Sequence, residues 1–409
     1  MYAYIHFLER HRYMKILVVT QQYFPDNFRV NDICKQLVNM GHQVKVVTSL
    51  PDYETSKIPK EYKWFKKRKE IIDGVQVRRL WSIARHHGTI FRILNYVSFM
   101  ISGYIYATFA KLDFDVIYYW QPTPITSGSC AKKFKKRSKK NLVLYCLDLW
   151  PESLKAWGFT EDSLPYKLML KYSKGVYNSA DTLVISSSPF RKYLTDVIGA
   201  DDNKIVYLPQ HFEADYGVIA DNYPQKRDDV NLLFAGNIGK AQDMPTIIKA
   251  AQLLKDKPNI KFNIVGDGSE LENCKAMVKE LGLCDTVIFH GRKPFSQMID
   301  YYKDADAFLL TLESGTLINL TLPGKLQGYM AAGRPIFAAI DGAAKEVMDN
   351  CNCGYCADGG DYKKLAEYIR EHAEDYEDMK NKGKNSKEYF DKNFTTKIHM
   401  EKLEQLLSE

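Results

Sequence analysis

The 409-residue chain has no P-loop ending in Gly-Lys-Ser/Thr, and no Gly-x-Gly-x-x-Gly follows the first strand-like segment of either half. The first absence argues against a Walker-type triphosphatase and the second against a dinucleotide oxidoreductase, because each chemistry needs that backbone cradle. Cysteine is sparse, at eight, and has no framework of extracellular type, which points to a reducing compartment. Cys351, Cys353 and Cys356 cluster in "CNCGYC", but no second Cys-x-x-Cys accompanies them, so small buried thiols are favoured over a zinc site. Acidic pairs of the kind that hold a cation on a diphosphate are also scarce. "DFD" (113–115) and "DAD" (304–306) each sit directly before an apolar strand, where Asp is a routine turn residue. There is no long low-complexity segment. The opening "MYAYIHFLERHRY" lacks the apolar core of a secretory leader and is expected to be an extension (residues 1–13) ahead of a better start at Met14.

What is present is a twice-repeated alternation of apolar strands and amphipathic helices. "MKILVVT" (14–20), a helix carrying Val30, Ile33, Cys34, Leu37 and Val38, and "QVKVVTS" (43–49) open the chain as β-α-β. Strands at 74–80, 115–120, 141–148, 182–187 and 204–209 continue that sheet. A polar, Pro-containing linker at 210–230 interrupts it, and the pattern restarts with strands at 231–236, 260–268, 286–291, 307–312 and 335–340. The expectation is an α/β protein of two Rossmann-like doubly wound domains whose carboxyl edges face one another across a cleft. The boundaries are 14–212 for the first domain and 226–390 for the second, with a last helix at 391–409 returning toward the first.

Charge is divided unequally. Residues 1–210 carry 32 Lys+Arg against 18 Asp+Glu, a balance of +14; residues 211–409 carry 25 against 32, a balance of −7. The excess concentrates in "YKWFKKRKE" (62–70) and "AKKFKKRSKK" (131–140). Such clusters suit an anionic surface as readily as a solvated helix face. Between them lies an uncharged run, 93–110 ("ILNYVSFMISGYIYATFA"). Its length meets the transmembrane threshold of about 18 residues. Asn95, Ser98 and Ser102 give it a polar stripe, however, and strands lie on both sides. It reads as a crossover helix, either touching a membrane surface or buried in the core.

Four stretches carry candidate chemistry. "FAGNIGKAQDMPTI" (234–247) is a strand, a turn and a helix in which Gly236 and Gly239 let backbone amides approach a phosphate, with Lys240 adding charge. "VGDGSE" (265–270) is a second strand-to-helix turn. "CLDLWPESLKAWG" (146–158) sets Asp148 at the carboxyl end of a strand, with Trp150 and Glu152 close by. Asp148 there is either a functional carboxylate or a helix cap. "LESGTLINLTLPGKLQGYMAAGRP" (312–335) places Glu313 and Lys325 at the two ends of one loop, as a ligand with both hydroxyls and negative charge would require.

Together with "QQYFPDNFRVNDICKQLVNMGHQVKVVTSLPDY" and "GRKP", these stretches resemble glycosyltransferase family 4, in particular the bacterial N-acetylfucosamine-transferase-like subgroup of O-antigen and capsule assembly. The resemblance runs from about Met14 to the C-terminus. It implies the GT-B fold, a UDP-sugar donor on the C-terminal domain, no metal cofactor and retention of anomeric configuration. It also implies a polyprenyl-diphosphate-linked saccharide acceptor at the cytoplasmic face of the plasma membrane; the +14 half and its two basic clusters add the expectation that the protein sits there peripherally on anionic lipid, and nucleic acid is not an expected partner. Carried onto this sequence, it implies that Asp148, Glu313 and Lys325 are catalytic. Gly236, Asn237, Gly239, Lys240, Gly266, Arg292, Thr316, Leu317, Ile318 and Gln327 would bind the donor. Asn27, Arg29 and Glu152 would lie on the acceptor side. The general family pattern of two glutamates with seven residues between them falls here on Leu320 and Gly328, which leaves Gln327 to reach the ribose. The usual basic residues of the phosphate turn fall on Asn237 and Gln242. A UDP-sugar 2-epimerase-like isomerase and a non-catalytic sugar-nucleotide-binding subunit share the fold and remain the alternatives.

Overall fold

The computed structural model describes residues 13–64, 66–86, 88–212, 217–220 and 222–409. The expected extension at 1–13 lies outside them except for Tyr13, as do Phe65 in the first basic cluster and positions 213–216 and 221 of the linker. The chain divides into two units: residues up to Leu208 together with Met400–Glu409, and Pro209–His399.

Unit 1 is built on β1 (Lys15–Val19), β2 (Gln43–Thr48), β3 (Lys69–Ile72), β4 (Val75–Arg79), β5 (Val116–Gln121), β6 (Leu142–Cys146), β7 (Thr182–Ile185) and β8 (Ile205–Tyr207). They form one sheet in the order β3-β4-β2-β1-β5-β6-β7-β8, parallel except for β3, which runs antiparallel to β4. β5 and β6 are buried at every position, as strands covered on both faces require. Its longer helices are α1 (Arg29–Asn39), α2 (Thr89–Phe109), α3 (Gly128–Ser138) and α4 (Leu164–Tyr177). The core beneath α1 gathers Ile16, Val18, Val30, Ile33, Val44, Tyr118 and Tyr145, and the end of the last helix adds Met400, Leu403 and Leu407. His42 and Glu404 meet at 2.9 Å on that side.

Unit 2 carries β9 (Val230–Ala235), β10 (Ile260–Val265), β11 (Val287–Gly291), β12 (Ala307–Thr311), β13 (Ile336–Ala339) and β14 (Gly354–Ala357) in the wholly parallel order β11-β10-β9-β12-β13-β14. Its longer helices are α5 (Met244–Leu253), α6 (Leu271–Glu280), α7 (Phe295–Asp304), α8 (Gly324–Ala331), α9 (Ala343–Cys351), α10 (Tyr362–His372) and α11 (Tyr376–Asn393); α12 (Thr396–Ser408) ends the chain. In both sheets the strand order reverses beside the first strand, between β1 and β5 and between β9 and β12. At such a switch point the flanking helices diverge and leave a crevice beyond the carboxyl ends.

Two strands were not expected. β3 hides inside the basic cluster, and β14 lies in "CNCGYC". α2 is a crossover helix but not the core-buried one that the second reading of 93–110 expected. Its polar stripe faces inward: Asn95 and Ser98 are buried, whereas Ile93, Leu94, Val97, Ile101, Tyr104 and Ile105 are exposed. Asn95 is held by Gln21 and Asp52, and Ser98 Oγ accepts from the amide of Ile83 at 2.9 Å. Among the described residues no helix is long and apolar enough to cross a membrane.

Candidate active site

In unit 2 the turns after β9 and β10 lie against each other so closely that only glycine fits. Gly266 has φ +156°, and a Cβ there would come 1.8 Å from the Gly236 carbonyl oxygen. Gly236 has φ +137°, and its Cβ would come 2.4 Å from Lys325 Cε. The space so kept open is a cavity of about 530 Å³, walled by Gly236, Asn237, Gly266, Asp267, Arg292 and Lys293. The loop after β9 is fixed by Gln242, whose Oε1 accepts from Asn237 Nδ2 (2.8 Å) and from the amide of Gly239 (3.1 Å). The residue at one expected basic position thus shapes the turn instead of charging it.

Lys325 sits in the first turn of α8 behind Pro323. Its Nζ lies 3.8 Å over the Phe234 ring and 3.4 Å from the Asn237 carbonyl oxygen. Burial, unrelieved by a neighbouring carboxylate, pulls its pKa down to about 7. An amine in this state takes up its proton when a polyanion arrives. Glu313 follows β12, half-buried, with Oε1 3.5 Å from the exposed Lys240 Nζ. Its backbone is tied on both sides: its amide donates to Ala241, and its carbonyl accepts from Thr316 Oγ1 and Asn319 Nδ2, all at 3.1 Å. In the short turn Leu317–Leu320 the first bond to close is Asn319 N to Thr316 O, so the amides of Leu317 and Ile318 precede it.

Gln327 departs from expectation. It is 3% exposed and its Nε2 donates to the Gln210 carbonyl at 2.5 Å, so its amide nitrogen is committed to packing α8 and not to a ribose. At Gly328 a Cβ would lie 3.0 Å from the Phe212 ring. A side chain at that position would require the Phe212 ring to give by a few tenths of an ångström.

The carboxyl edge of unit 1 has a different character. Asp148 is half-buried, and its oxygens accept from side chains rather than from cap amides: Thr123 Oγ1, Trp150 Nε1 (3.2 Å) and Ser153 Oγ (2.7 Å). The helix-cap reading therefore does not describe it. Glu152 is a correction. It is 6% exposed, bonded by the Tyr166 hydroxyl and paired with Lys155 at 2.6 Å, so it braces the turn and is not offered to an acceptor. Asn27 is exposed, its amide donating to Glu54 Oε1 at 2.9 Å, and Arg29 opens α1 half-buried.

Sequence reasoning missed three further groups at this edge. Asp26 is buried and accepts from the amides of Asp52, Tyr53 and Glu54 at 3.2–3.3 Å. Asp52, also buried, accepts from Arg85 N and Asn95 Nδ2, each at 2.8 Å, and burial pushes its pKa up to about 7. Both aspartates follow a proline just beyond a strand end ("FPD", "LPD"), a signal that was legible. Asn95 was read only as part of a polar stripe, yet it joins Asp52 to Gln21.

Each of the two Asp pairs is taken up by a single basic residue. Asp113 binds Lys15 Nζ and Asp115 binds the Lys15 amide, both at 2.8 Å, while Asp304 and Asp306 pair with Arg227. Among the described residues no group of three metal-ligating side chains comes together.

Residues 28–214 match the family described as Glycosyltransferase Family 4, and residues 219–389 match Glycosyl transferases group 1. The chain is a family 4 glycosyltransferase. It is 27% identical over 286 residues to the probable glycosyltransferase WbjE of Pseudomonas aeruginosa, covering 65% of this chain and 69% of that one. It is 25% identical over 345 residues to the putative colanic acid biosynthesis glycosyl transferase WcaI of Escherichia coli, covering 78% and 82%. Among solved structures, a glycosyltransferase from Rickettsia africae superposes with TM-score 0.68 at 15% identity, over 97% of this chain and 98% of that one. Anabaena HepE, crystallised with UDP and glucose, superposes with TM-score 0.64 at 14% identity, over 97% and 100%. Two Rossmann-like domains of GT-B type thus account for the whole described chain.

Proposed function

We propose that this glycosyltransferase moves a sugar, an N-acetylated amino sugar, from a UDP-sugar held by unit 2 to a polyprenyl-diphosphate-linked saccharide met by unit 1. It does so with retention of configuration and without a metal, in surface polysaccharide assembly at the cytoplasmic face of the plasma membrane. The observation that carries the proposal is the glycine-walled cavity beyond the carboxyl ends of β9, β10 and β11, with Lys325 desolvated beside it and Arg292 and Lys293 on its rim. The diphosphate lies against the turns at Gly236 and Gly266. Lys325 gains its proton as the diphosphate binds and stabilises the charge that grows on the leaving group, together with Lys240 and the amides at Thr316, Leu317 and Ile318. Glu313 accepts from sugar hydroxyls. Asp148 orients the acceptor, whose proton passes to the departing phosphate on the same face of the sugar, so that no covalent sugar–enzyme intermediate forms.

A lipid-linked acceptor is supported by the two basic clusters and by the outward apolar face of α2. The lipid-linked saccharides of a sugar-depleted membrane extract, incubated with the protein and a panel of UDP-sugars in EDTA, test the reading. Transfer in EDTA supports it. Epimerisation alone, binding alone, or transfer that vanishes in EDTA and returns with Mn²⁺ overturns it.

A further inference from the structure

On the outer side of unit 1 a groove of about 560 Å³ runs between α2, α3 and α4. Its floor is apolar: Ile101 and Ile105 of α2 are each about half exposed, and Val176 of α4 lies below them. Its rim is cationic, formed by Lys132, Lys133 and Lys136 of α3 and Lys171 of α4. Two of these ammoniums are held over the groove. Lys133 Nζ sits 4.8 Å over the Tyr104 ring, and a Cβ on Gly175 would lie 3.1 Å from Lys132 Nζ, so Lys132 stretches across α4 at its glycine. None of the four has a carboxylate partner among the described residues, whereas Lys135 of the same helix is neutralised by Asp181 at 2.5 Å. The sequence supplies few alternatives, since Asp113 and Asp115 are the only acids between Asp73 and Asp148.

Four unneutralised ammoniums around an apolar trough match one class of molecule: an amphiphile with an anionic head. A polynucleotide would leave the apolar floor unused, and an inorganic anion would need only the lysines. We propose that this groove seats one anionic phospholipid of the bilayer, its phosphate among Lys132, Lys133, Lys136 and Lys171 and the start of an acyl chain along Ile101 and Ile105. The proposal rests on the membrane-surface reading above and gives it a place. It makes attachment a specific, saturable event at α2–α4, beyond diffuse attraction to the +14 half. It also fits the inside-out polarity of α2, whose apolar face would lie against the acyl boundary.

The test is cosedimentation with vesicles of phosphatidylcholine alone or with 30% phosphatidylglycerol, paired with native mass spectrometry in dihexanoyl-phosphatidylglycerol. Three proteins are compared: wild type, Lys132→Glu/Lys136→Glu, and Lys63→Glu/Lys66→Glu in the other basic cluster. Thermal shift with UDP reports that each is folded. The expected result is one short-chain lipid per wild-type chain, not displaced by inorganic phosphate. The groove variant should lose about 10-fold or more in binding to the anionic vesicles, judging from the usual contribution of each basic residue. The other variant should lose less and keep the stoichiometric lipid. Equal binding by wild type and groove variant overturns the groove and leaves the membrane reading standing. Wild-type indifference to phosphatidylglycerol overturns both. Ile105→Asn separates lipid from free phosphate: it should weaken the lipid, and unchanged lipid binding contradicts a seated acyl chain.

Discussion

The two units share one architecture and invert each other's charge. Unit 1 lies in the half with a balance of +14, yet its carboxyl edge collects Asp26, Asp52 and Asp148. Unit 2 lies in the half with a balance of −7, yet its edge carries Arg292, Lys293, Lys240 and Lys325 against Asp267 and Glu313. The net charge of a half therefore says nothing about its site. The lysines of unit 1 concentrate on α3 and in the loop leading to edge strand β3, away from its carboxyl edge, which on the proposed reading supplies hydrogen-bond acceptors to a saccharide. Many acids of unit 2 lie on exposed helices such as α10 and α11, and on the proposed reading its edge offers glycines and cations to a diphosphate. The same kind of carboxyl edge is tuned twice, by which residues follow the strands.

The sharpest way to break this contrast is at Lys325. Lys325→Ala should cost about 2–4 kcal/mol of transition-state stabilisation, read as a fall in kcat/KM. Loss in KM alone would show that the amine only holds the ground state. Next comes the pair of carboxylates. Asp148→Asn should lower transfer on the order of 10²-fold through acceptor misplacement while leaving UDP-sugar affinity unchanged. Glu313→Gln should weaken both, as titrations of donor binding alongside turnover would reveal. Indistinguishable behaviour of the two variants would dissolve the division between edges.

Gly266→Ala tests the glycine wall. A methyl 1.8 Å from a carbonyl must displace the turn, so stability should fall by about 1–3 kcal/mol and UDP should no longer raise Tm. The smallest effect belongs to Lys240→Ala. Lys240 is exposed and its pair with Glu313 is solvent-screened, so the ligand-free protein should change by less than about 1 kcal/mol in denaturant unfolding.

Much of this was legible in the sequence. Strand-by-strand alternation gave both sheets, because covered parallel strands read as short apolar runs. β3 escaped because an antiparallel edge strand of four residues, "KEII", exposes alternate positions and looks like the end of a charge cluster. β14 escaped because "GYCA" is too short and too rich in small residues to register. Within the site, residues following strand ends were found, since position in a doubly wound sheet implies exposure at the crevice. Glu152 and Gln327 were misjudged for the opposite reason. Glu152 is neutralised locally by Lys155, three residues on, but the hydroxyl that helps bury it comes from Tyr166, one helix later, and what holds Gln327 is the carbonyl of Gln210, 117 residues away. No local pattern encodes such partners. Asp148 lies between these cases: its placement was readable, but its bonding to Thr123, Trp150 and Ser153 was not.

The central claim is that a lysine whose proton is loosened by burial becomes the diphosphate's cation. A native pKa near 7, below the ordinary 10.5, means that the folded protein binds fewer protons than the unfolded chain between those values. Its stability should therefore rise with pH across that window, and Lys325→Met should raise Tm more at pH 6 than at pH 9. The most direct measurement is calorimetric titration of UDP at pH 8 in buffers of different ionisation enthalpy. Wild type should take up close to one proton per UDP bound, and Lys325→Met should bind more weakly with that uptake gone. Equal proton uptake by the two proteins would contradict the account.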